Sequence, residues 1–356
     1  MPSPPSKPPP TAPTRILGAR LSLFVGGILV GLLLATVCFA VLTRSENGKG
    51  SASSGRVTLK LAHSLDPAHP VHLAMLRMAE RVVELSDDTM RIDIYPSGQL
   101  GSETECIEQL QNGQLAMTKT SSAPLEGFVE EMKVFGLPYL FESEDHLWKT
   151  LNGEIGEELL TCAEGSGLHG LCYYDAGSRN FYSKTRMIRT PDDLRGMKIR
   201  VQSSPVAMKM VEALGGSPTP IAWGELYSAL AQGVVDGAEN NPPSFVSNKH
   251  SEVCKFFTLD AHTRVPDLLL ISTTVWKSLT SEQRQWLKQA SMDSSTYQRE
   301  LWAEKSHESL EQAKSKEGVE VFEPDIALFM KKVEPVYDEF ARGVVGELVE
   351  RIRSVK

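Results

Sequence analysis

From Arg56 onward, short apolar runs alternate with stretches whose apolar residues fall at helical spacing. Val57 to Ala62 reads as a strand, and Val71, Met75, Met78, Ala79, Val82 and Leu85 mark one face of a helix. Met90 to Tyr95 predicts a second strand, closed by the turn Pro96-Ser97-Gly98. Ser102, followed by Glu103 and Glu105, opens a helix with a capping residue and first-turn acids, and Asn112-Gly113 stops it. Leu115 to Thr118 predicts a third strand that runs into the polar Lys119-Thr120-Ser121-Ser122. One helix is expected over 146–162 and another strand over Leu168 to Tyr174. This alternation is the signature of an α/β lobe with a largely parallel sheet.

Near Gly177 the pattern restarts. Strands are expected near Asn180–Lys184, Met197–Val201, Ser217–Thr219 and Val234–Gly237, with helices near Ser204–Leu214 and Trp223–Gln232. The very apolar Pro266–Thr274 predicts a strand that returns to the first lobe, and the tail is helical over 281–316 and 325–355. The division that follows is lobe I over 56–176, lobe II over 177–265, a return to lobe I over 266–305, and helices packing on lobe II over 306–356. A lobe that is left and re-entered requires several crossings. A cleft at such a boundary is where ligands bind, and hinge closure is the accompanying motion.

Upstream of Arg56 the composition changes. Residues 1–20 are rich in Pro and Ser and cannot build a packed core. Residues 21–43 are an uncharged apolar segment, of about the 20 residues that span a bilayer. Lys7, Arg15 and Arg20 precede it, which keeps the N-terminus in the cytoplasm and exports the rest. The segment is either a cleaved signal, with small residues near Ala35 to Ala40, or an uncleaved anchor in the inner membrane. Its length, beyond the roughly 7–15 residues of a signal's apolar stretch, favours the anchor. Residues 44–55 read as a flexible linker. The expected location is therefore the periplasm, tethered to the cytoplasmic membrane.

The chain's 356 residues suit about two domains, and 41% apolar content supports a large core. With a net charge of −8 and no dense basic run outside the N-terminus, no nucleic-acid partner is expected. Five cysteines show neither CxxC nor zinc spacing, so no metal or cofactor is implied. Cys162 and Cys172 flank a Gly-rich turn and either pair in an oxidising compartment or stay as buried thiols.

The chemistry concentrates in two blocks. PDDLRGMKIRVQSSP, Pro191 to Pro205, carries Arg200 near the end of a short strand, and WGELYSALAQGVVDGAENNPPS, Trp223 to Ser244, brings Asn240 and Asn241 to a turn. A guanidinium is a rigid fork that matches a carboxylate, so Arg200 is the leading candidate, against the alternative of a surface pair with Asp192 or Asp193. Arg179, at the lobe boundary, is either a second anion contact or a hinge-fixing residue. Trp223 is a core residue or a stacking wall. His63 and His69 flank a strand-to-helix loop at the expected cleft and are candidates for hydrogen bonds to a ligand. His69 and His72 alone lack the further ligands zinc needs. Glu103, Glu105 and Glu108 read as a solvated face. Gly165 to Gly170 matches G-x-G-x-x-G, but a helix precedes it and a strand follows, the reverse of a dinucleotide site. Gly-x-Ser-x-Gly, HExxH and Walker motifs do not occur.

Several ordered blocks resemble the extracytoplasmic solute-binding proteins of TRAP (tripartite ATP-independent periplasmic) transporters. They include GQLG at 98–101, LPYLF at 137–141, TPDDLRG at 190–196, KIRV at 198–201, LGGSPTP at 214–220, ELY at 225–227 and VDGAEN at 235–240. The resemblance covers roughly Arg56 to Lys356. It implies a two-lobed α/β fold of the periplasmic-binding-protein type, a Venus flytrap with a hinge and C-terminal helices, that closes over one organic acid and delivers it to membrane permease subunits. The family's carboxylate-binding arginine falls on Arg200, its second arginine on Arg179, its cleft asparagine on Asn240, and its aromatic wall on Trp223. Sialate-type members carry a glutamate near Ser121, which this chain lacks. Lys119, His63 and the doubled Asn240-Asn241 add polar groups beyond those a plain dicarboxylate needs, which is similar to the branch that binds uronates or aldonates.

The function expected is non-catalytic capture of a sugar acid for ion-gradient-driven uptake, with no enzyme activity. The alternatives are a C4-dicarboxylate binder, a tethered sensor, or a periplasmic lyase or isomerase. The last needs a general base, for which Glu225, Glu239 and His63 are the candidates.

Overall fold

Two separate sheets organise the residues described by the computed structural model, Arg56–Lys356. The apolar segment 21–43, the linker 44–55 and Cys38 lie outside them. Among the described residues no helix is long and apolar enough to cross a membrane. In chain order the strands are β1 (Val57–Ala62), β2 (Met90–Tyr95), β3 (Met117–Ser121), β4 (Leu168–Tyr174), β5 (Arg179–Ser183), β6 (Lys198–Val201), β7 (Ser217–Pro220), β8 (Gly237–Asn240), β9 (Phe256–Thr263), β10 (Asp267–Ser272) and β11 (Glu320–Phe322). The first sheet has the order β2-β1-β3-β10-β4, and the second β11-β9-β5-β8-β6-β7.

In the first sheet β1 pairs in parallel with β2 and β3, the product of two strand-helix-strand crossovers. The helices are those the pattern calls for. Pro70–Leu85 starts at Pro70, which tolerates a missing N–H, and buries Val71, Met75, Met78 and Val82. Glu103–Gln111 opens with a reciprocal Ser102–Glu105 capping box. β10 then enters antiparallel between β3 and β4. All six of its residues are buried, as a central strand covered on both faces requires.

The chain leaves this sheet at Asp175–Ser178, between β4 and β5, and returns at Arg264–Pro266, between β9 and β10. The helix Ser281–Ser315, 35 residues and so about 52 Å long, makes a third connection. It lies on Pro70–Leu85 and β4 at one end. At the other, Ala313 joins the core of Tyr182, Phe245 and Phe257 beneath the second sheet. Gly177 sits at the first crossing with φ +59, where an added Cβ would also crowd the Trp302 indole.

Several elements differ from the pattern. The helix expected over 146–162 is two, Glu144–Leu151 and Glu154–Thr161, because Asn152-Gly153 caps one and starts the other. The strand expected near Val234–Gly237 runs instead from Gly237 to Asn240, since Asp236 is spent capping: its carbonyl and carboxylate accept the Lys184 and Lys198 amides. Lys119 lies within β3 rather than after it. The tail breaks into Ile326–Lys332, Glu334–Phe340 and Gly343–Arg353. Glu334–Phe340 lies against Pro205–Ala213 beside the second sheet. The last helix does not pack on lobe II as expected. It lies against residues 130–136 and Glu154–Thr161, between β3 and β4, where His146 Nε2 meets the Ile352 carbonyl at 2.9 Å and Arg351 pairs with Glu158. Cys162 and Cys172 are free thiols, not a disulfide.

Candidate binding site

A small cleft is lined by residues of both sheets. One wall comes from the first sheet: Ser64, Leu65 and His69 after β1, Glu103 at a helix start, Lys119 and Ser121 on β3, and Asp267 on β10. The other comes from the second: Arg179 on β5, Gln202 after β6, Trp223, Asn240 on β8, and Asn241 and Ser244 beyond it. Ala176 at the crossing and Trp302 on the long helix complete the lining. Sites at the ends of strands, between lobes, follow the general rule for open α/β sheets.

Lys119 is the cation of the first wall. Its Nζ donates to Asp267 Oδ2 at 3.0 Å and lies 3.5 Å from Glu103 Oε1, with only 3% of the side chain exposed. Burial opposes its charge, yet the two carboxylates hold its pKa above the ordinary lysine value. Burial raises the pKa of Asp267 in turn, against the pull of Lys119. Glu103 Oε1 also accepts the Ser121 amide at 3.1 Å.

Arg179 is the first cation of the second wall, and it is already engaged. Its Nη2 donates to both the carbonyl and Oε1 of Glu239 at 2.8 Å, its Nε pairs with Glu239 Oε2, and its Nη1 donates to Asn240 Oδ1 at 3.1 Å. Glu239 also faces His262 Nε2 at 3.5 Å, and His262 Nδ1 donates to Asp260 Oδ2 at 2.7 Å. Burial opposes the charge of Glu239, but Arg179 and His262 bring its pKa down to about 2. Burial likewise opposes the charge of His262, but Asp260 and Glu239 raise its pKa to about 9. Asn240 Oδ1 accepts from Arg179 and from the Asn241 amide, so the hydrogen-bonding group it has left is the Nδ2 donor. Asn241 is committed to structure: it caps the next helix through Ser244 N and donates to Ala176 O at 3.0 Å.

Arg200 differs from both. It is 2% exposed, third in β6 between β7 and β8. Its Nε donates to Ile221 O at 2.9 Å, and its guanidinium lies 5.6 Å from the centroid of the Trp223 ring. Nη1 is buried with no hydrogen-bond partner among the described residues, and no carboxylate there forms an ion pair with it. Burial depresses its pKa, with the nearby Glu239 opposing that shift and Arg179 adding to it. Arg200 does not itself line the cleft. Its neighbours Trp223 and Gln202 do. A buried, uncompensated guanidinium is costly unless an anion completes it.

The histidines divide. His69 lines the cleft. Its Nδ1 accepts the Val71 amide, which makes Nε2 the donor, 3.2 Å from Ser244 Oγ. His63 sits behind the wall. It accepts the Leu65 amide at Nδ1 and meets His72 Nδ1 through Nε2 at 2.9 Å. Burial, with Lys119 nearby, pushes their pKa values down to about 2 for His63 and about 3 for His69, so both are neutral. Glu225 is exposed in the turn before the helix Leu226–Gln232 and does not line the cleft. The structure thus brings Arg179, Trp223, Asn240, Lys119 and His69 to the cleft, with Arg200 beside it, His63 behind it and Glu225 outside it.

Asp267, Gln202, Ser244 and Trp302 are cleft residues that the pattern did not single out, and Glu103, expected on a solvated face, instead lines the cleft with 12% of its side chain exposed, because Lys119 and the Ser121 amide draw its carboxylate inward. One signal was available. Asp267 is a charged residue opening an otherwise apolar strand, and charge at the edge of such a run is rarely left unpaired.

Comparison with known proteins identifies the family. Residues 61–343 match the model of the family described as bacterial extracellular solute-binding protein, family 7. The uncharacterized protein YiiZ of Salmonella typhimurium is 36% identical over 306 residues, 85% of this chain and 93% of that protein. A TRAP periplasmic solute binding protein from Xanthobacter autotrophicus, solved with bound β-D-galacturonate, is 36% identical with a TM-score of 0.81, over 84% of this chain and 100% of that one. One from Pseudomonas putida with bound D-glucuronate is 34% identical with a TM-score of 0.81, over 84% and 98%. The chain therefore belongs to family 7 of the bacterial extracellular solute-binding proteins, the solute-capturing family of TRAP transporters.

Proposed function

We propose that this chain captures a hydroxylated monocarboxylate, a sugar acid of the uronate or aldonate class, outside the cytoplasmic membrane and hands it to the permease subunits of a TRAP transporter. The observation that carries the reading is the Arg200 guanidinium, buried without an anionic partner among the described residues. A ligand carboxylate would complete it, while the Asn240 amide, Lys119, Gln202 and His69 supply donors and acceptors for hydroxyls around it. Trp223, whose ring centroid lies 5.6 Å from the Arg200 guanidinium, supplies a flat apolar wall for the carbon skeleton. The hexuronates bound to the two relatives in their solved structures support the same class.

In this reading Arg179 positions rather than binds. Glu239 and Asn240 take its donors, so its effect reaches the ligand through the orientation of Asn240. Binding is favoured over catalysis by the state of the base candidates: Glu239 is locked by Arg179 and His262, His63 is turned to His72, and Glu225 is outside the cleft. The apolar segment 21–43 would hold the binding unit at the outer face of the membrane. Membrane fractionation with N-terminal sequencing of the mature protein separates an anchor from a cleaved signal.

The test is calorimetry of the full chain, in non-ionic detergent, against uronates, aldonates and C4-dicarboxylates. Tight binding of a uronate or aldonate, recovered unchanged, is expected. Preference for a C4-dicarboxylate, or heat from none of the acids, removes the sugar-acid reading, and conversion of the ligand restores the enzyme alternative.

A further inference from the structure

We infer that the cleft selects by charge count: it admits one carboxylate and rejects a second, with Glu103 and Asp267 as the residues that set this limit. The inference rests on the sugar-acid reading and adds which sugar acids are refused.

Three cationic side chains stand in or beside the cleft. Lys119 is bracketed by two carboxylates, Asp267 at 3.0 Å and Glu103 at 3.5 Å. Arg179 is bound along its whole fork by Glu239 and Asn240, and the remaining charges behind it, His262 and Asp260, pair with each other. Arg200 alone among the three has no anionic partner within the described residues. One uncompensated positive charge matches one ligand carboxylate.

The first-sheet wall works in the opposite sense. Lys119 with Glu103 and Asp267 carries two formal negative charges against one positive, in a place where little water screens them. A ligand hydroxyl suits such a wall, because it can donate to a carboxylate oxygen in a charge-assisted hydrogen bond. A second carboxylate does not, because it can only accept and meets like charge. Rejection of this kind is specificity obtained by repulsion rather than by an added attraction. That Lys119 is the first wall's cation does not rescue the diacid, since binding it there means displacing one of two fixed carboxylates.

Gluconate and glucarate make the comparison clean. They share one open chain and one set of hydroxyl configurations, and differ only in whether the far end is a CH2OH or a carboxylate. Calorimetry of the full chain with glucuronate, gluconate and glucarate, on the unaltered protein and on Glu103→Gln and Asp267→Asn, tests the inference. The unaltered protein should bind at least one monoacid, and glucarate roughly a hundredfold or more weaker than gluconate or glucuronate. Each neutral variant should narrow that ratio by roughly tenfold or more. The ratio, rather than either affinity, is the readout, so a general weakening of the site does not imitate the effect. Glucarate within tenfold of the better monoacid on the unaltered protein overturns the inference and leaves sugar-acid capture standing. So does a ratio that neither folded variant moves. Should Asp267→Asn fail to fold, Glu103→Gln and the unaltered protein still decide. Failure of both monoacids to bind removes the sugar-acid reading and this inference together.

Discussion

Gln298 holds Asp175 from both sides: its Oε1 accepts the Asp175 amide and its Nε2 donates to the Asp175 carbonyl, each at 2.8 Å. Asp175 is the residue at which the chain leaves the first sheet for the second, and Gln298 sits fully buried midway along the helix that spans both. The crossing is thereby tied to a rigid rod, while its Gly177 stays free to adopt φ +59. Gln298→Ala leaves an amide and a carbonyl without partners in a dry place. It should lower stability by about 2–6 kcal/mol, since each of the two buried groups left unsatisfied costs on the order of 1–3 kcal/mol. Denaturant unfolding checks this, and an unchanged midpoint would show that water replaces the side chain without loss.

Arg200 makes a prediction of opposite sign in its two readouts. Arg200→Met removes the guanidinium while keeping much of the side chain's length. Ligand affinity should fall by about a hundredfold or more, because a charge pair broken inside a protein costs roughly 3–5 kcal/mol. The ligand-free protein should be as stable or more so, since the lost charge was buried, its pKa already depressed by that burial. Calorimetry and thermal melting of the same sample decide. A variant that loses both binding and stability would mean Arg200 is a structural residue.

Much of this was legible from the chain because it was local. The strands β1, β2, β4 and β6 are alternating or apolar runs bounded by turn residues, and Arg200 stands out as an arginine near the end of a short strand within the block Pro191 to Pro205. The capping box at Ser102 and Glu105 could be read for the same reason. What stayed hidden was long-range. Lys119 and Asp267 are 148 positions apart and meet because β10 inserts antiparallel beside β3, with Asp267 opposite Ser121. Glu103 looked like a first-turn acid serving the helix dipole, and nothing nearby in sequence shows that it also faces Lys119. Glu225 failed in the other direction: its place beside Trp223 in the sequence does not survive the turn that points it to solvent.

The start of β8 supplies a third test. Gly237 pairs with Ser183, and a Cβ there would run into the carbonyl oxygen of Tyr182. The obstacle is backbone, so it cannot swing aside. Gly237→Ala should cost about 1–3 kcal/mol, as overpacking in a dense interior does. Asn240 closes the same strand three residues on, opposite Asn180, so the strain should also reach the ligand. A drop in both melting temperature and affinity is expected, and an unaffected affinity would place the relaxation away from the cleft.

The buried histidines predict how stability depends on pH. His63, His69 and His250 have folded pKa values pushed down to about 2, 3 and 3, chiefly by burial. An unfolded histidine titrates near 6.5. The stability these three contribute is therefore complete above that value and is lost as pH falls below it, because the unfolded chain takes up protons that the folded one refuses. His262 behaves in reverse. With Asp260 and Glu239 raising its pKa to about 9, its contribution is complete below 6.5 and is lost as pH rises through 9. Glu239, held down to about 2, adds to the acid limb alone, below the ordinary carboxylate range. Stability should peak near neutrality. Glu126, which burial raises to about 8, joins His262 on the alkaline side, and the thiols of Cys106, Cys162, Cys172 and Cys254, also raised by burial, add to that limb above about 9. Denaturant midpoints from pH 5 to 10 trace the two limbs. His262→Gln should shrink the alkaline limb between about 6.5 and 9 and leave the acid one in place, whereas an alkaline limb unchanged in this variant would mean that His262 carries no charge in the folded protein.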